Sequence, residues 1–253
     1  EGAAVVFPPE WAPLDDEEKV PRDHAWWRRW TYAPLFEQSA EYKRVSDQLL
    51  ESMDTVEVVR VDRIQSRALW RRFCDKRREL ADKCGGDPNK LRLWHGTGGT
   101  DPDVILRSEA GLDARMASEG FYGRGTYLAE HARYSNGDTG GRGYFHANPG
   151  SGHRQLLLVR VLAGSVKDFG RRIKRDLDPA RDLVDAARST AAAAVVFDSV
   201  RGGPHRPGFA GPGANDSRMY VVYNSAQLYP AYRVTYRRKG AGGGAGGAGG
   251  GTG

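Results

Sequence analysis

A chain of 253 residues, 39% hydrophobic and 28% charged, has room for one large domain or two small ones and buries a core without covalent staples. Cys74 and Cys84 form no C-x-x-C pair and the six histidines show no zinc spacing, which excludes a disulfide scaffold and leaves no metal site to expect. A net charge of +6 and a pI near 9.4 admit an anionic partner, either nucleic acid or the diphosphate of a dinucleotide, without choosing between them.

No apolar run is long enough to span a membrane, so no membrane partner is expected. Free cysteines point to a reduced, intracellular setting, nucleus or cytoplasm. The opening at Glu1 reads as a piece of a longer protein.

Residues 1–38 form a lead-in rich in proline and tryptophan, with Pro8-Pro9-Glu10-Trp11 and then Trp26-Trp27-Arg28-Arg29-Trp30. Interleaved aromatics and arginines can stack on bases or pack on a domain surface under the arginine stems. Ser39 to Met53 has apolar residues at helical spacing behind a Ser39 N-cap. Thr55 to Val61 alternates as a strand, and Arg63-Ile64-Gln65 leads into a charged amphipathic helix from Ala68 through Leu80, ending near Gly85-Gly86.

Val104-Ile105-Leu106 predicts a short helix, and Gln155 to Leu162 a buried strand. Asp178 to Thr190 reads as a helix with Pro179 in its first turn. Ala194 to Val200, Met219 to Asn224 and Tyr232 to Tyr236 read as strands, the last two separated by Ser225 to Pro230. Residues 240–253 are nearly all Gly and Ala, a linker or disordered tail. Many short strands with two long helices predict an α+β domain on two packed, mainly antiparallel sheets over residues 39–239.

The central stretch runs from Leu91 to Ser135. Gly123 and Gly125 give G-x-G with no third glycine in register and no strand-to-helix turn, so a Rossmann fingerprint fails; without G-K-[ST] there is no P-loop either. Taken singly, a histidine beside glycine is usually capped or solvated, and a strand tyrosine is usually core.

Together, His95-Gly96-Thr97, the Tyr122-Gly123-Arg124-Gly125-Thr126-Tyr127 run about thirty residues on, Ser135 eight residues later and the Q-x-Y-P-x-Y of Gln227 to Tyr232 resemble the catalytic domain of the poly(ADP-ribose) polymerase family, the H-Y-E class of ADP-ribosyltransferases. Phe197-Asp198-Ser199-Val200 resembles that family's Y-D-S-V. The resemblance covers residues 8 to 237 and implies a diphtheria-toxin-like ADP-ribosyltransferase fold with helices flanking the sheets.

It also implies NAD⁺ as co-substrate, a protein acceptor (possibly the chain itself) and inhibition by nicotinamide-like compounds. Gly96 would bond the nicotinamide carboxamide through its backbone, joined by the Ser135 hydroxyl. His95 would hold the adenine-side ribose, and Tyr127 would lie against the nicotinamide ring. Thr97 and Gly125 complete the motifs at the dinucleotide. Arg115 in the resembling D-loop would meet the diphosphate, which a guanidinium fits. The family's second tyrosine follows the serine by a few residues; here Asn136-Gly137-Asp138 intervenes, and Tyr144 is the candidate.

Met219 departs from the family pattern. It stands where chain-extending members begin E-Y-[IV]-V-[YF], so the catalytic triad reads His95, Tyr127, Met219, and the resemblance implies transfer of a single ADP-ribose. Asp216 has the wrong parity to replace the glutamate on a continuous strand. A binding module that has lost catalysis, or a nucleic-acid-binding domain using Trp26 to Trp30, are the rival readings.

Overall fold

The computed structural model describes residues 5–11, 30–137, 143–205 and 217–240. Trp26 to Arg29, most of the Gly137 to Gly143 insert, Asp216 and the tail beyond Gly240 lie outside the described residues.

Two helices form where local signals agree with burial. α1 (Ala40–Leu50) is capped by Ser39, whose hydroxyl accepts from the Tyr42 N–H at 3.1 Å, and it buries Val45 and Leu49, one turn apart on one face. α2 (Arg67–Lys83) buries Leu69, Trp70, Phe73, Cys74 and Leu80, a stripe at three- and four-residue spacing. It ends before Gly85 and Gly86, whose φ angles of 71° and 107° are available to glycine at little cost.

The sheet contains β1 (Trp30–Pro34), β2 (Val56–Ser66), β3 (Lys90–His95), β6 (Thr126–Ala129), β7 (His146–Ala147), β8 (Arg154–Leu162), β9 (Val166–Asp168), β10 (Ser199–Gly202), β11 (Met219–Val222) and β12 (Leu228–Arg238). Its order is β1-β2-β12-β8-β3-β6-β11-β10-β9, antiparallel throughout except where β9 runs parallel to β10, with β7 beside β8. β4 (Glu119–Gly120) and β5 (Gly123–Arg124) form a separate hairpin. The remaining helices are short: α3 (Pro102–Arg107), α4 (Ala132–Asn136) and α5 (Pro179–Asp182).

This is the expected α+β architecture, with its two sheets joined at one place. β3 and β6 pair only through Trp94 and Ala129, whereas β3 pairs with β8 over six residues. The packing divides in the same way. One core lies between α1, α2 and the β2-β12-β8 ladder; the second gathers Tyr122, Phe169, Leu177, Leu183, Val200, Met219 and Val221 on one face of β6-β11-β10.

The Q-x-Y-P-x-Y run is structural. The Gln227 amide donates to the Leu162 carbonyl at 2.7 Å, the Tyr229 hydroxyl to Ile64 at 2.7 Å, and the Tyr232 hydroxyl to Glu41 at 2.7 Å. The strand expected from Tyr232 therefore begins earlier, at Leu228, and Pro230 sits at a register shift where a missing N–H is tolerated. In the lead-in, the Trp11 ring packs 5.7 Å from Trp70 and 6.1 Å from Tyr229.

The helix expected over Asp178 to Thr190 is a single turn, α5, with Pro179 in its first turn as expected and the Asp178 side chain as its N-cap. Val184 pairs with Val196, the Asp185 N–H donates to Val195, and the Phe197 N–H donates to Leu183. These long-range bonds take up the backbone groups that a longer helix would need, and they also restrict the expected 194–200 strand to β10.

Asp198 joins this region to the body. Its carboxylate accepts from the Ser165 N–H at 2.9 Å, the Ser165 hydroxyl at 2.7 Å and the Lys83 ammonium at 2.6 Å. Asp198→Ala is expected to cost about 1–3 kcal/mol, since it strands the part-buried Ser165 donors and the Lys83 cation. A thermal melt reads this directly, and an unchanged midpoint would contradict the assigned role.

Candidate active site

The site forms where β3 and β6 stop pairing. One residue beyond the Trp94–Ala129 pair, the His95 side chain takes over from the backbone ladder, its Nδ1 lying 2.8 Å from the Tyr127 carbonyl oxygen. A carbonyl only accepts, so Nδ1 carries the proton, and in the neutral ring Nε2 is left as an acceptor. Burial lowers the His95 pKa from its ordinary 6.5, with the Tyr127 carbonyl acting in the opposite direction, so the neutral form prevails at neutral pH.

Tyr127 is held as firmly. Its hydroxyl donates to the Gly123 carbonyl at 2.8 Å and accepts from the Tyr122 N–H at 2.7 Å. Burial pushes its pKa up to about 12, against the Tyr122 bond and the Arg175 charge. With the hydroxyl used on both sides, the ring itself is what Tyr127 offers. Tyr122 is held in turn by Tyr223, whose hydroxyl donates to the Tyr122 carbonyl at 2.8 Å.

Gly96 is crossed by the chain at Tyr144. A Cβ on Gly96 would lie 2.2 Å from the Tyr144 carbonyl oxygen, so no larger residue fits. That carbonyl accepts from the Gly98 N–H at 2.7 Å, and the Tyr144 N–H donates to the Ser135 carbonyl at 2.8 Å. Ser135 is buried in α4, beside Asn136, whose side-chain oxygen accepts from the Tyr236 hydroxyl at 2.8 Å and from Arg154 at 3.0 Å. Backbone and side-chain bonds thus place His95, Gly96, Tyr127, Ser135 and Tyr144 in one connected group.

The other sequence-derived residues are placed as follows. The Thr97 hydroxyl donates to the Thr100 carbonyl at 2.6 Å and closes the turn after the histidine. Gly125 lacks a side chain because Val221 and Tyr223 occupy the space, a Cβ there falling 2.4 Å from Val221 Cγ1. Arg115 is exposed and its guanidinium is held by the Asp113 carboxylate at 2.6 Å. No hydrogen bond among the described residues joins Arg115 to the His95 group.

The Tyr144 ring is exposed and lies nearly parallel to Tyr134, with centroids 6.2 Å apart. Met219 is buried; it pairs with Ala129, while Val221 pairs with Tyr127. Alternation therefore puts Met219 and Tyr127 on the same sheet face.

Sequence reasoning missed Tyr134 and Arg175. Tyr134 had one signal, its place just before Ser135. Arg175, whose guanidinium lies 4.8 Å from the Phe121 ring centroid, had none, being one cation in a basic loop. Among the described residues no group of three or more His, Cys, Asp or Glu side chains could hold a metal ion, and no helix is long and apolar enough to cross a membrane.

The family model described as the poly(ADP-ribose) polymerase catalytic domain matches residues 39–238, and the chain belongs to that family. A Dictyostelium discoideum protein named "Probable poly [ADP-ribose] polymerase" is 32% identical over 206 residues, covering 79% of this chain and 51% of that protein. Human protein mono-ADP-ribosyltransferase PARP14 is 26% identical over 209 residues, covering 81% of this chain and 10% of its own length. Human protein mono-ADP-ribosyltransferase PARP11 is 24% identical over 249 residues, covering 93% and 65%. The chain thus spans about half of the first of these relatives, and less than two thirds of each.

Proposed function

We propose that this chain transfers a single ADP-ribose from NAD⁺ to a protein side chain and releases nicotinamide. The observation that carries this reading is the His95 imidazole, fixed by the Tyr127 carbonyl with Nε2 as acceptor at the point where β3 and β6 diverge. The names of the human relatives support single transfer.

NAD⁺ supplies a ribosyl carbon bearing an already cationic nicotinamide, a good leaving group, so the protein's task is mainly orientation and exclusion of water. The residues present fit that task. His95 Nε2 is set to accept from a ribose hydroxyl. Gly96, with no side chain, leaves its backbone groups approachable, and the buried Ser135 lies in the helix bonded to the chain that crosses it. Tyr127, with its hydroxyl fully used, presents a fixed ring. Met219 offers no hydrogen-bonding group comparable to a carboxylate, so the acceptor side chain supplies any base the attack requires.

The lost carboxylate at Met219 is the one observation that favours a catalytically silent binding module. The intact His95 arrangement weighs against that reading. Buried Cys74 and half-buried Cys84 are both free, which suits a reducing intracellular setting.

Benzamide-type carboxamides are expected to raise the melting temperature and to compete with NAD⁺. Ser135→Ala should weaken them by roughly tenfold, one hydrogen bond's contribution. Carboxamides that neither bind nor stabilise the chain would refute the nicotinamide pocket.

A further inference from the structure

A second site lies on the opposite face of the sheet from His95. A pocket of about 370 Å³ opens between α1, α2 and the β3-β8-β12 strands, and five cations line it: Arg44, Arg77, Lys90, Arg92 and Arg160. Arg92 is three residues before His95 on β3, so strand alternation directs the two to opposite faces.

The arrangement is electrostatically unfavourable as it stands. Arg92 and Arg160 face each other directly across the β3–β8 ladder, a like-charge pairing that destabilises a sheet. None of the five cations is in an ion pair with a carboxylate among the described residues. Glu41, which exerts some attraction on Arg92, is already occupied by Arg63 and the Tyr232 hydroxyl. Arg92 Nη2 is buried without a hydrogen-bond partner. Burial holds the Arg92 pKa below the ordinary guanidinium range, and the neighbouring Arg44 and Arg160 charges push the same way.

The floor holds these groups in place. The Arg160 guanidinium lies 5.3 Å from the Trp70 ring centroid, and that of Arg92 lies 5.9 Å from Tyr232. Both rings are almost wholly buried, so no aromatic face is open for a base to stack on. Charge without a stacking platform selects phosphate over nucleobase, and guanidinium forks match phosphate oxygens. Two half-buried arginines at the floor and three exposed cations at the rim suit two linked phosphates.

We propose that this pocket is an anion site for a diphosphate-bearing ligand, separate from the catalytic cleft, with Arg92 and Arg160 as its central contacts. The test is calorimetric titration of the chain with inorganic pyrophosphate, ADP and a short single-stranded oligonucleotide. The variants are Arg92→Gln, Arg160→Gln, Arg77→Gln and His95→Ala.

Pyrophosphate is expected to bind at one site, and each arginine variant should weaken it by about tenfold or more, the contribution of a charge-assisted contact. Arg77 is exposed at the rim, so its variant reports on charge without disturbing the floor. His95→Ala should leave pyrophosphate binding unchanged. ADP binding that the arginine variants weaken supports the site, as one for the free diphosphate group where it is no tighter than pyrophosphate and as one for a nucleotide where it is tighter. Absence of binding, equal affinity in the arginine variants, or loss in His95→Ala would overturn it. Binding of the oligonucleotide alone would also overturn it, in favour of a nucleic-acid surface.

Discussion

His95→Ala is expected to lower NAD⁺ affinity about ten- to a hundredfold, equivalent to roughly 1–3 kcal/mol for a buried hydrogen bond left unmade. The effect has two sources. The Nε2 acceptor disappears, and so does the Nδ1–H that holds the Tyr127 carbonyl where the β3–β6 ladder has ended. The wild type should show the same dependence on acidification. The buried imidazole has a pKa below 6.5, and once protonated its Nε2 becomes a donor and can no longer accept. NAD⁺ affinity should therefore be flat at neutral pH and fall only below that depressed value. The folded protein loses stability one step earlier, as the pH falls from near 6.5 towards that depressed value, because in that window the unfolded imidazole takes up its proton and the folded one does not. Titrations of a folded His95→Ala variant with unchanged affinity would remove His95 from the site.

The second large effect concerns elongation. Modified protein offered back as acceptor should gain no second ADP-ribose, because a positioned general base contributes about 10²–10⁴-fold and Met219 cannot act as one. Nor should Met219→Glu convert the chain into a polymerase. Met219 is buried in a cluster with Tyr122, Phe169, Leu177 and Val200, where an ionised carboxylate would lack the solvation it needs. That variant is expected to be less stable than the wild type. Chain-length analysis of the product on gels distinguishes these outcomes: a ladder from the wild type would contradict the assignment of the third triad position.

What could be read from the sequence was local. Ser39, the apolar stripes of α1 and α2, and the two glycines after Lys83 announce their helices within a few residues of the bonds they make. The H-G-T and Y-G-R-G-T-Y runs likewise mark the strands that carry His95 and Tyr127. What stayed hidden depends on distant pairing. Pro179 promises a helix that Val184 and Asp185 leave, because their partners are Val196 and Val195. Pro230 looks like a break but lies inside β12 at a register shift. Nothing in Arg92 or Arg160 alone shows that the two face each other, since that follows only from the β3–β8 register. Gly96 gives no hint that the Tyr144 carbonyl is what excludes its side chain.

Mass spectrometry of the chain and its acceptor after incubation with labelled NAD⁺ tests the central claim most directly. The account predicts one ADP-ribose on each modified side chain, with nicotinamide released in equal amount and both lost in His95→Ala. Ribose–ribose linkages, or no incorporation by a chain that still binds NAD⁺, would contradict it.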